Sequence, residues 1–194
     1  MSTYIATLFI APSPESEVLG TTASSLVQNV RADHIQPILS KHGLDVIEAD
    51  KWYPMQIVLD VFKDIVESRE NVVEDLVAVG IKTVETAPLP PAVNSVESAL
   101  VFIDQAAKLT SRHVPPEFGA PLRVVDAQHA LVTNNIPYPH QLLYGYIWGL
   151  VNRVKAPDHI FSIQSLPEEP AKPTVFSVRW GLPDDLEEGP DHED

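Results

Sequence analysis

The stretch that most constrains this chain runs from Thr133 to Val154, TNNIPYPHQLLYGYIWGLVNRV. It leaves a strand, turns through Pro137 and Pro139, and continues as an apolar helix carrying Gly145 and Gly149. Helix residues at this spacing share one face, so the two glycines make a stripe without side chains. A backbone bare on one side can lie close against a sheet or another helix. Leu143, Tyr144, Tyr146, Ile147, Trp148 and Leu150 spread around the rest, and a helix apolar on nearly all sides is buried on both. It must be covered by a sheet or by a second subunit.

The remaining pattern is read in chain order. Thr3 to Ile10, TYIATLFI, is rich in aromatic and branched residues and predicts a strand ended by Ala11-Pro12-Ser13-Pro14. A helix from about Thr22 meets Pro37, which should kink or split it, and Gly43 caps its end. Lys51-Trp52-Tyr53-Pro54 opens the next helix, with Met55, Val58, Leu59, Phe62, Ile65 and Val66 at the helical period. A further helix starts near Asn71 and carries Gly80 on its apolar stripe. A glycine there costs about 1 kcal/mol of helix propensity relative to Ala, which predicts a close helix contact.

After the stiff connector Pro88 to Pro91, Asn94 and Glu97 are placed to cap a fourth helix. Leu122 to Val125 and Ala130 to Asn134 predict a hairpin ahead of the glycine-bearing helix, and Pro157 ends that helix. His159 to Leu166 and Thr174 to Trp180 form a last strand pair, Phe176, Val178 and Trp180 alternating onto one face. The expected fold is α+β, one domain over residues 1–181 with helices on one face of a small antiparallel sheet. Residues 182–194 should be a disordered acidic tail.

Charge and composition exclude several partners. The formal charge is −14, half of it in the segment after Gly181, and nowhere do Lys and Arg cluster. Phosphate backbones and anionic lipid surfaces would be repelled, so nucleic acid and membrane insertion are not expected. The chain has no cysteine, and its first basic residue is Arg31, which leaves the short run Tyr4 to Ile10 without the positive n-region of a signal peptide. A cytoplasmic protein without disulfides or thiolate chemistry is expected.

Three features together resemble a known group: Trp52-Tyr53-Pro54 at a helix start, Val79-Gly80-Ile81 before the proline-rich connector, and Asn135-Ile136-Pro137-Tyr138-Pro139 followed by Gly145 and Gly149. The chain is similar over residues 20–181 to bacterial relatives of the H-NOX and TRAPP superfamily, which includes haem-binding sensors, 4-vinyl-reductase-type small-molecule domains and transport-particle subunits. The resemblance implies an H-NOX/TRAPP-like α+β fold enclosing an apolar cavity for a ligand, a lipid or haem. Two family patterns are missing. No Tyr-x-Ser-x-Arg propionate clamp starts from any tyrosine, and the cysteine-containing loop before the last strand is replaced by Glu168 to Thr174.

The chemistry-bearing residues do not converge. The seven histidines have no helical metal spacing and read as solvated or capping residues, with His34 and His113 the two haem-ligand candidates; no metal site is expected. Nucleophile-elbow, phosphate-loop and dinucleotide motifs are absent, so no catalytic residue is expected and the chain reads as a non-enzyme. What stands out is aromatic. Trp52, Tyr53, Asn135, Tyr138 and Trp148 are the candidates for a ligand pocket or an interface. The expected function is a sensory domain that binds a small apolar ligand as a homodimer and needs no cofactor. A haem-binding gas sensor and a ligand-free protein scaffold are the alternatives.

Overall fold

The computed structural model describes residues 4–28, 32–68, 72–166 and 172–187. Its elements run β1 (Glu17–Leu19), α1 (Gly20–Gln28), α2 (Ala32–Lys41), β2 (Trp52–Pro54), α3 (Met55–Glu67), α4 (Val72–Thr86) and α5 (Val96–Leu109). There follow β3 (Ser111–Arg112), β4 (Leu122–Asp126), β5 (His129–Asn134), α6 (His140–Val154), β6 (Ile160–Ser165), β7 (Thr174–Gly181) and α7 (Pro183–Glu187). The fold is α+β as expected, but with two antiparallel sheets in place of one: β2-β1-β3, and β4-β5-β7-β6.

The larger sheet follows the sequence pattern. Alternation along β7 buries Phe176, Val178 and Trp180, and β5 buries Ala130 and Val132 beside them. Register across the centre pairs Ala130 with Val178 and Val132 with Phe176. Onto this face packs α6, with Tyr144 edge-on to Phe176 at 6.2 Å and Trp148 edge-on to Phe161 at 5.7 Å. The opposite face of α6 meets α4 through glycines. A Cβ on Gly145 would run into the Val77 carbonyl oxygen and lie 3.0 Å from the Gly80 Cα, and one on Gly80 would run into the carbonyl of Leu142. The close helix contact predicted from Gly80, Gly145 and Gly149 is thus present, and α6 is covered on both sides within the one chain.

Several sequence expectations are corrected. Residues 4–10 form no strand: Phe9 takes φ 61°, and only Thr7 and Ile10 bridge. The segment is held by a backbone bond from Phe9 N–H to the Pro137 carbonyl and by side chains, since Asn135 Oδ1 accepts from Ala6 N–H at 2.8 Å and Gln56 Nε2 donates to the Phe9 carbonyl at 2.9 Å. Trp52 and Tyr53 do not open a helix; they are strand β2, paired with Leu19 and Val18 of β1. The helix starts one step later at Met55, with Pro54 at its N-cap.

Pro37 does not split its helix, since α2 runs through it; residues 29–31, between α1 and α2, lie outside the described residues. Gly43 is the expected C-terminal cap, at φ 71°, with Leu44 N–H returning to the Leu39 carbonyl. Asn94 does not cap α5. Ser95 does, its Oγ accepting from Ser98 N–H while Ser98 Oγ accepts from Ser95 N–H, a reciprocal box worth about 1 kcal/mol. Asn71 and residues 167–171 lie outside the described residues. The expected disordered tail begins with α7, where Asp185 accepts from Leu182 N–H at 3.0 Å; residues 188–194 lie outside the described residues. No described helix is long and apolar enough to cross a membrane.

Candidate functional site

Beside the tight α4–α6 contact lies a cavity of about 180 Å³. Helix α5 supplies Phe102, Ile103, Ala106 and Ala107, the one-face pattern of an amphipathic helix whose small residues stand where a larger side chain would fill the space. Helix α6 supplies Leu142, Leu143, Tyr146 and Leu150; α4 supplies Thr83 and Val84. Val18, Thr22, Phe118, Ile136 and Tyr138 close the remaining sides, and half-buried Ala87 and Leu89 border it near the connector to α5.

Three local arrangements hold these walls. Gly119 adopts φ 139°, and a Cβ there would collide with Asp104 Oδ1, the atom that accepts from Ala120 N–H at 2.9 Å; this close approach sets Phe118 into the interior. Arg153 donates to the carbonyls of Val84 and Ala87 at 2.8 and 2.7 Å, tying the end of α4 to α6. The Asn135 amide joins three segments, Nδ2 donating to Tyr4 O at 3.2 Å and to Glu117 O at 2.7 Å while Oδ1 holds Ala6. Buried at 6% exposure, it is fully engaged as a structural strut.

Among the described residues no Lys, Arg, His, Asp or Glu lines the cavity. Its ionisable groups are two tyrosines. Burial pushes the Tyr146 phenol up to about 12, partly offset by a hydrogen bond with Thr83, and burial also drives Tyr138 far upward. Both are therefore neutral hydroxyls at physiological pH, suited to hydrogen bonding and not to proton abstraction.

The five aromatic and amide candidates are not brought together. Tyr138 alone lines the cavity, its ring edge-on to Phe62 at 5.7 Å and 83°. Trp148 faces the sheet; Asn135 braces the N-terminal segment. Trp52 carries the Arg112 guanidinium 4.5 Å from its ring, and Tyr53 Oη accepts from Glu48 N–H at 2.8 Å. The sequence analysis missed Thr83, Ala106, Ala107, Phe118 and Ile136. The one available signal was the paired alanines Ala106 and Ala107 on an otherwise bulky helix face.

The described residues do not fit haem. The cavity falls below the ~300–1,000 Å³ that larger organic ligands occupy. Among the described residues it offers no imidazole for the iron and no cation for the propionates. His113 is turned outward at φ 55°, its Nδ1 3.1 Å from the Glu15 carbonyl oxygen and 3.4 Å from Glu17. His34 lies in α2, with its side chain outside the described residues. His42 pairs with Asp64, and His129 meets Ser177. Among the described residues no cluster of three or more His, Asp or Glu could hold a metal ion.

Solved structures share this fold. A mutant of the T. tengcongensis H-NOX superposes with a TM-score of 0.61 at 17% identity, over 84% of this chain and 97% of that one. An oxygen-binding H-NOX domain related to soluble guanylate cyclases, in its oxygen complex, gives 0.61 at 16% identity over 84% and 92%. A Cs H-NOX mutant carrying 4-cyano-L-phenylalanine gives 0.58 at 17% identity over 84% and 94%. The chain thus has an H-NOX-like fold. No protein-family model matches the sequence, and no curated protein matches it.

Proposed function

We propose that this chain is a non-enzymatic sensory domain that holds a small apolar molecule in the cavity between α5 and α6. The observation carrying this reading is a cavity whose described walls are apolar side chains and hydroxyls, with neither charge nor any base, acid or nucleophile among them poised to react. Charged ligands would lose their hydration there without gaining a counter-ion, whereas apolar ones gain by leaving water.

Native mass spectrometry of freshly purified protein tests this. Mass above the 21.4 kDa chain that vanishes on denaturation supports the reading and weighs the ligand. In the Ala106→Leu variant, which places a larger side chain in the cavity, that excess should be lost while the fold persists; excess mass retained in this variant would point to a site elsewhere. The same spectrum reads homodimer assembly, and a bare chain that captures only protein partners would instead favour the scaffold role.

The fold likeness to an oxygen-binding H-NOX domain favours a second reading, a haem-dependent gas sensor. Haem titration separates the two. No Soret band is expected, because no described residue of the cavity wall is an axial ligand. Stoichiometric haem uptake that disappears in His113→Ala or His34→Ala would displace the first reading.

A further inference from the structure

In a chain with 27 acidic and 13 basic residues, an arginine with no carboxylate beside it stands out. Two such arginines lie on one face of the larger sheet. Register pairs Arg123 with Leu131, Leu131 with Ser177 and His129 with Arg179, and residues directly across from one another share a face. Phe176 and Val178 are buried on the core side, so Ser177 and Arg179 point outward. Neither Arg123 nor Arg179 makes an ion pair or a side-chain hydrogen bond among the described residues.

His129 feels both charges. Burial first, then Arg179 and Arg123, hold its imidazole below the ordinary range, partly offset by Asp126, whose carboxylate lies 4.0 Å from His129 Nδ1. Toward β6 the face continues with Ser162, paired with Arg179, and Gln164, paired with Ser177, both uncharged. The face is thus locally positive on a molecule of formal charge −14.

The arginines stand two strands apart and two residues out of step, which puts their Cα atoms roughly 12 Å from each other by ordinary sheet dimensions. An extended chain covers that distance in about four residues. The segment after α7 has the matching composition, with Glu188, Asp191, Glu193 and Asp194 among residues 188–194 and no Lys or Arg. It also starts close by: Asp185 of α7 accepts from Gln128 Nε2 at 3.1 Å, and Gln128 immediately precedes His129. A free acidic partner would approach against the charge of the whole molecule, whereas a tethered segment acts at an effective concentration on the order of millimolar.

We infer that the outer face of the β4-β5-β7-β6 sheet is a docking surface for the chain's own acidic C-terminal segment, whose carboxylates pair with Arg123 and Arg179. A guanidinium takes a carboxylate through two parallel N–H donors. Exposed ion pairs are individually weak and screened by salt, so the segment is released as ionic strength rises. The surface is separate from the cavity, and the inference does not depend on a ligand there.

Amide and arginine side-chain N–H signals of the full chain, read by NMR at low salt, test this. Neutralising the segment with Glu188→Gln, Asp191→Asn, Glu193→Gln and Asp194→Asn should shift the signals of Arg123, Leu131, Ser177 and Arg179. Ala130 and Val178, on the core side, should stay in place and report an intact fold. Raising the native chain to ~1 M salt, where charges are screened beyond about 3 Å, should give the same shifts, and the neutralised variant should show none of them. In the reciprocal variant, Arg123→Gln with Arg179→Gln, the signals of 188–194 should move. Outer-face signals that stay in place on neutralisation overturn the inference, as do shifts centred on another surface. Shifts that grow with protein concentration overturn it too, because they assign the contact to a second copy.

Discussion

Helix α6 has two neighbours that illustrate opposite uses of small residues. Toward α4, Gly145 and Gly80 bring backbone onto backbone, and no room remains for even one methyl group. Toward α5, Ala106 and Ala107 face Leu142, Leu143 and Tyr146 across a void of about 180 Å³. In the first case small residues close a gap; in the second they leave one. The difference lies in what fixes the helix separation. The glycine contact sets α6 against α4, and the sheet sets its other side, so α5 cannot move in to fill the space its alanines leave. A rigid contact therefore sustains the hollow one.

Substitutions can break this contrast. The largest effect is expected for Gly145→Val, where added carbons meet the Val77 carbonyl: stability should fall by about 3 kcal/mol or more in urea unfolding. Ala106→Leu should act in the opposite direction, raising stability by about 1 kcal/mol through cavity filling while abolishing ligand uptake. A loss of stability as large as that at Gly145 would mean that the void is not available to a side chain. Gly149→Ala should change least. Its Cβ would lie 3.2 Å from the Val84 Cβ and 3.3 Å from the Ile81 Cα and carbonyl oxygen, only a few tenths of an ångström too close, and about 1 kcal/mol of helix propensity offsets the crowding. A net change beyond about 1 kcal/mol in either direction would show that the glycine stripe is graded differently along α6.

These residues also show where sequence was legible. Gly80, Gly145 and Gly149 announced a close helix contact because glycine on an apolar helix face is costly unless backbone must approach there. Phe176, Val178 and Trp180 announced their buried face through strict alternation. Trp52 and Tyr53 misled, because their pairing with β1 joins segments far apart in sequence, and no local propensity reports it. Asn135 was visible as unusual, but its three partners come from segments that only the fold assembles.

By itself the sequence determined the α+β class, the larger sheet and the glycine face of α6, since these follow from local periodicity and from the price of glycine. Only the tertiary structure decided that a cavity exists and that Tyr138, alone of the five residues singled out from sequence, lines it. Empty space is a property of how several elements fail to meet. No single segment encodes it, so it becomes visible only when all of its walls are in place.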